Sequence, residues 1–157
     1  MIVVADTTPL NYLIQIDEID LLSAIFGKVL VPQAVFLELQ HPKTAAKVRQ
    51  WMTHHPDWLE LCSVISTTPP ALMSLDLGER EAILLALERN VETVLMDEAP
   101  GRKCSEAFHL EVRGTLGILE RGARLGLCSF GPALHKLEQT KFRMSPALKA
   151  AFLARNF

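Results

Sequence analysis

Cysteine is scarce in this chain. Cys62, Cys104 and Cys128 lie far apart and none forms a CxxC pair. Such an odd, sparse set excludes a disulfide framework and a cysteine zinc site, and predicts reduced thiols in a cytoplasm. Charge of one sign is not in excess either: 16 Lys and Arg stand against 18 Asp and Glu, a formal net charge of −2. With no global basic field, a nucleic-acid partner has to be held by a local patch. No apolar run reaches membrane-spanning length, and the N-terminus lacks the basic flank and apolar core of a signal peptide. The first strand is expected to begin at Ile2, so a complete, unprocessed, cytoplasmic chain with no membrane partner is expected. Internal repeats and low-complexity segments are also missing.

What is present fits one ordinary domain. The 157 residues are 49% hydrophobic and 22% charged, enough to bury a real core. The rhythm is strand then helix. Residues 2–5 read as a first strand, 9–16 and 19–26 as helices, and 28–31 as a short strand. Pro32 suits the first turn of a helix running to about Gln40. A helix over 44–54, an outer strand over 59–65 and a loop over 66–70 follow. The span 79–90 is apolar nearly all round between Ala82 and Leu87, which predicts a deeply buried helix. A central strand over 93–96, a helix over 102–109 and a short fifth strand from Glu111 come next. Thr115 is placed to cap a helix over 116–125. Residues 131–157 read as two amphipathic helices with a basic joint, Lys141-Phe142-Arg143.

Strands alternating with helices predict a parallel sheet covered on both faces, with ligands bound beyond the carboxyl ends of the strands. Two apolar runs end there in acids: VVADTTPL in Asp6, and TVLMDEAPG in Asp97 and Glu98. A carboxylate in such a place is costly unless paired or bound to a metal. Glu38 lies on an otherwise mainly apolar helix, and Glu79 and Glu81 open the buried helix. Those last two are separated by about 200° of helix, so only one can face a common site. Carboxylates gathered at one edge repel one another unless a cation is present, and a hard divalent ion with oxygen ligands resolves that conflict.

The order VVADTTPL, VPQAVFLEL, LDLGEREAILLAL and VLMDEAPGRKCSEAFHLEVRGTLGIL resembles a PIN-domain nuclease. It is most similar to the bacterial and archaeal branch related to toxin ribonucleases of toxin–antitoxin pairs. The likeness extends to the KFRMSPAL tail, and its most specific part is the segment around Asp97, Gly101-Arg102-Lys103 and Gly114-Thr115-Leu116-Gly117. The resemblance implies a three-layer α/β/α fold around a mostly parallel sheet of four to five strands. It implies one domain over 1–157, with an α/β core over 1–128 and a helical extension over 129–157. It also implies a Mg²⁺- or Mn²⁺-dependent ribonuclease. The family's acids carry over to Asp6, Glu38, Glu81 and Asp97, with Glu79 a rival for the third place and Glu98 a neighbour able to replace Asp97. Asp6, Glu81 and Asp97 would bind the metal, and Glu38 would orient a water. Thr7 or Thr8 matches the family's hydroxyl, and Arg102 and Lys103 would contact RNA phosphates. An antitoxin partner and a homodimer are further expectations of this likeness.

Plainer readings stand beside these. Asp6 could cap the first helix, Glu38 could be a solvated helix residue, and Glu79 could be a first-turn partner of the helix dipole. Glu98 could be a surface charge, and Trp51 and Trp58 packing residues. Two other functions compete with the nuclease. A phosphohydrolase of the aspartyl-phosphate type needs a second Asp where Thr8 stands. A catalytically silent interaction module would keep the fold and hold a partner protein.

Overall fold

A computed structural model describes residues 1–156. The described residues form five strands and nine α-helices: β1 (Ile2–Ala5), α1 (Thr7–Gln15), α2 (Leu21–Phe26), β2 (Lys28–Pro32), α3 (Gln33–Leu39), α4 (Ala46–Thr53), β3 (Leu59–Cys62), α5 (Leu77–Glu88), β4 (Thr93–Leu95), α6 (Ala99–Ala107), β5 (Glu111–Arg113), α7 (Thr115–Arg124), α8 (Phe130–Glu138) and α9 (Pro146–Arg155). A single 3₁₀ turn, Pro70–Leu72, precedes α5.

All five strands are parallel, in the order β3-β2-β1-β4-β5. The chain builds outward from β1 through β2 to β3, then returns to the other side of β1 with β4. That reversal puts a crevice at the carboxyl ends of β1 and β4, where open parallel sheets take their ligands. Ala5 pairs with Leu95 in register, and the Asp6 N–H donates to the Leu95 carbonyl at 2.9 Å. Asp6 and Asp97 therefore leave the sheet from adjacent strands.

Each face of the sheet is apolar and covered. Val3, Ala5, Val29, Val31, Leu59 and Leu95 share one core with residues of α1 to α4, α7 and α8. Val4, Leu30, Val94 and Met96 share the other with α5 and Leu110. The period of two along each strand produces this division. Ala82 to Ala86 of α5 are all buried, as their continuous apolar run predicts. The strands lie between two helical layers, giving the α/β/α arrangement. Phe130, Ala133, Leu134 and Leu137 of α8 belong to the first core. Phe152 and Leu153 of α9 pack against it more loosely.

Several boundaries differ from the sequence reading, each for a local reason. Helix α1 starts at Thr7, with Pro9 inside its first turn, where the missing N–H has no helical partner to lose. Strand β3 stops at Cys62, level with the last residue of β2. The next backbone donors turn to Glu88: Ile65 N–H at 3.0 Å and Ser66 N–H at 2.7 Å. Helix α6 starts at Ala99, with Pro100 in its first turn. Thr115 is the first helical residue of α7 and not its cap, which is Gly114. The last residue of the second predicted C-terminal helix, Phe157, lies outside the described residues.

Candidate active site

Asp6 sits at the position before α1 but makes no capping hydrogen bond with its side chain. It is only 5% exposed. Burial pushes its carboxyl up to about 8. The Thr7 N–H works against that shift, while Asp76, Glu79 and Glu38 add to it by repulsion. The capping reading therefore fails, and this nearly buried acid has no ion-pair partner among the described residues. Gly78 of α5 closes over it. A Cβ there would lie 3.0 Å from Glu38 Oε2, 3.3 Å from Asp6 Oδ1 and 3.4 Å from Thr7 Oγ1. These three oxygens surround one spot, and a glycine leaves that spot open.

Helix α5 supplies two of the neighbouring acids through its cap. Asp76 Oδ1 accepts from the Glu79 N–H at 2.8 Å, and Glu79 Oε1 accepts from the Asp76 N–H at 3.4 Å, a reciprocal capping box. That pairing uses one Glu79 oxygen. The other, Oε2, is buried with no hydrogen-bond partner. Glu79 is 6% exposed, and its carboxyl rises to about 7, first through burial and then through Asp76. Gly101 of α6 lies against it, since a Cβ there would come within 2.5 Å of Glu79 Oε2.

Glu81 points elsewhere. Its Oε1 accepts from the Ala34 N–H at 3.1 Å, in the first turn of α3. It serves the start of that helix, as a carboxylate at a helix N-terminus does. Of the two glutamates offered for the third acid, Glu79 is the one whose charge acts on Asp6. The roughly 200° between them holds, but it is Glu79 that turns toward the strand ends. Asp76 was not among the predicted site residues. Its signal was the D-x-x-E spacing of a capping box in LDLGEREA.

Asp97 is held from the other side of the crevice. Its Oδ1 accepts from the Thr115 N–H at 2.9 Å and its Oδ2 from Thr115 Oγ1 at 2.7 Å. Burial raises its carboxyl, Thr115 opposes the rise through both bonds, Glu98 adds to it and Arg102 opposes it. Arg102 lies close by, with Nη1 donating to the Met96 carbonyl at 3.2 Å. The two threonines after Asp6 each pin a different acid. Thr7 Oγ1 donates to Glu38 Oε2 at 2.6 Å, and Thr8 Oγ1 donates to Glu98 Oε1 at 2.9 Å. Glu38 and Glu98 are exposed, so these bonds fix their direction rather than bury their charge.

Two clefts open at this edge. One, of about 550 Å³, is lined by Thr7, Thr8, Tyr12, Glu38 and Glu98. The other, of about 490 Å³, is lined by Asp97, Arg102, Arg113 and Gly114. Lys103 is exposed and does not line the Asp97 cleft. Trp51 and Trp58 pack on each other, with ring centroids 5.8 Å apart.

Among the described residues, no three His, Cys, Asp or Glu side chains converge at metal-ligand spacing. The donor chemistry nevertheless suits a hard divalent ion. The donors are all oxygen, the Asp6, Glu79 and Asp97 carboxyls are raised first by burial and then by neighbouring acids, and Glu79 Oε2 is buried and unpartnered. Asp6 and Glu79 are the residues able to hold such an ion, with Asp76 and Glu38 beside them.

Comparison with known proteins agrees with this architecture. A family model described as PIN domain matches residues 2–156, and the chain belongs to that family. No curated protein and no solved structure matches the chain. Among the described residues, no helix is long and apolar enough to cross a membrane.

Proposed function

We propose that this PIN domain is a ribonuclease that hydrolyses phosphodiester bonds with a bound Mg²⁺ or Mn²⁺. The observation that carries the reading is a buried Asp6 crowded by Asp76, Glu79 and Glu38 at the sheet's reversal point, with Glu79 Oε2 buried and unpartnered. Asp6 and Glu79 would hold the ion, and Asp97, just beyond β4, would close the site. The chemistry supplied by a bound ion there would be polarisation of the scissile phosphate and activation of water for attack. Glu38, aimed by Thr7, orients a water at the mouth of the site. Thr115 keeps Asp97 in place, and Arg102 beside it neutralises a phosphate oxygen. Glu81 belongs to the start of α3 and takes no part. The choice of RNA over DNA follows the family likeness, as does the proposal that the chain is the toxin of a toxin–antitoxin pair, restrained by an antitoxin segment in the acidic cleft. A homodimer belongs to the same proposal.

The test is Mn²⁺ calorimetry on wild type, Asp6→Asn and Asp6→Asn/Asp97→Asn, followed by cleavage of varied RNAs. Binding and cleavage by the wild type alone are expected. A second reading has an observation of its own: Glu38, Glu98 and Asp97 already have threonine partners. If the folded wild type neither binds Mn²⁺ nor cuts RNA, a silent interaction module replaces the enzyme.

A further inference from the structure

The joint between α8 and α9 reaches back over the acidic edge. Phe142 stacks edge-on against Tyr12 of α1, with centroids 5.2 Å apart, and its N–H donates to Thr140 Oγ1 at 3.2 Å. Phe142 and Met144 both pack against the main core. The flanking cations, Lys141 and Arg143, are thus presented from an anchored backbone and are exposed. Neither makes an ion pair among the described residues.

Their position links three clefts. Arg143 lines both the Glu38–Glu98 cleft and the Asp97–Arg102 cleft. Lys141 lines the first of these and also a third, of about 400 Å³, whose far wall carries Lys43. The clefts adjoin in a line, the third and first sharing Tyr12 and Lys141, the first and second sharing Phe142 and Arg143, and together they make a groove. Cations flank it on both sides of the acids: Lys43 and Lys141 toward one end, Arg102 toward the other, and Arg143 at the crossing. A chain with net charge −2 concentrates unpaired positive charge along this line. A strand of phosphates needs such a patch, since the molecule as a whole offers no attraction.

We infer that this groove is a track for single-stranded RNA, with Arg143 as the phosphate-holding residue that places the backbone over the acids. The inference rests on the nuclease reading for its substrate class. It adds the path of the strand and the residues that hold it. An acidic peptide is the competing ligand. The groove favours a nucleic acid, because Tyr12 and Phe142 line it beside Lys141 and Arg143 and offer ring surface on which bases stack, which an oligocarboxylate cannot use.

The test measures binding apart from cleavage. A labelled oligouridylate of roughly 12 nucleotides is titrated by fluorescence anisotropy in EDTA, and again with Ca²⁺, over a range of salt. Lys43→Ala/Lys141→Ala/Arg143→Ala is compared with the wild type. Arg89→Ala/Arg124→Ala/Lys136→Ala, which removes three cations outside the groove, is the control. The groove variant is expected to bind roughly 10- to 100-fold more weakly near 0.1 M salt. Its salt slope should be smaller by about 2, at ~0.7 per phosphate contact on a single strand. The control should match the wild type, and oligoglutamate of equal charge should compete poorly.

Three results would overturn the track: unchanged affinity and slope in a groove variant that melts like the wild type, equal loss in the control, or efficient competition by oligoglutamate. Failure of the wild type to bind in either buffer would do the same. RNA binding that needs the groove, without cleavage under Mn²⁺, would sink the nuclease and leave the track. Cleavage with normal binding by the groove variant would sink the track and leave the nuclease.

Discussion

At the scale of single residues, Asp6 is where chemistry and stability pull apart. Its carboxyl sits at about 8 in the fold, against an ordinary value near 4 in an unfolded chain. Between those values the folded state holds a proton that the unfolded state has released. Metal-free stability contributed by this group is therefore complete below about pH 4 and lost as pH rises through about 8. Asp6→Asn should melt higher than the wild type in EDTA at pH 8, by roughly 5 °C, and the gap should close near pH 4. Thermal melts across that range check it, and a gap independent of pH would contradict the burial argument. Gly78→Ala separates the two properties differently. A helix former replaces glycine, a gain of up to about 1 kcal/mol, while the new methyl crowds Glu38, Asp6 and Thr7. Unchanged or improved melting with about ten-fold weaker Mn²⁺ binding is expected. Equal Mn²⁺ affinity would show that the spot enclosed by those oxygens is not used.

At the scale of elements, the start of α5 decides which glutamate belongs to the site. Glu79→Gln should abolish Mn²⁺ binding without lowering metal-free stability, because a neutral amide suits its buried surroundings better than a charge. Glu81→Gln should keep Mn²⁺ binding and weaken the start of α3 by about 0.5 kcal/mol, read from urea melts. The opposite pattern would return the third acid to Glu81. Asp76→Ala should remove the cap at a cost of about 1 kcal/mol. Spacing along the chain shows that Glu79 and Glu81 diverge. It does not say which direction holds Asp6, because that depends on how α5 lies against α3 and β1.

At the scale of the whole molecule, the single parallel sheet ties the site to the core. The C-terminal span contributes to this as well, through α8. Leu134, 2% exposed, lies in the main cluster. Leu134→Ala should lower stability by about 2–5 kcal/mol in one cooperative urea transition. A separate early transition would mean that the span from 129 onward folds on its own. The sheet order also bears on the proposed phosphate path, which a protein without net positive charge has to provide locally. The reversal between β1 and β4 opens the crevice, and the α8–α9 joint brings its cations to that crevice from the far end of the chain.

Local pattern by itself determined the alternation of strands and helices, the burial of α5 and the two strand-ending acids. Each is a matter of neighbours: period, turn residues and a carboxylate closing an apolar run. Family likeness extended that reading to a metal-dependent nuclease. Only the tertiary structure decided the partners. Glu81 meets Ala34, Thr8 meets Glu98, and Thr115 meets Asp97 across long stretches of chain. Arg143 lines the clefts that hold Glu38, Glu98 and Asp97, next to Phe142 where it docks on Tyr12. Such pairings follow from packing helices on a sheet, and the spacing of residues along one element carries no record of what another element brings to it.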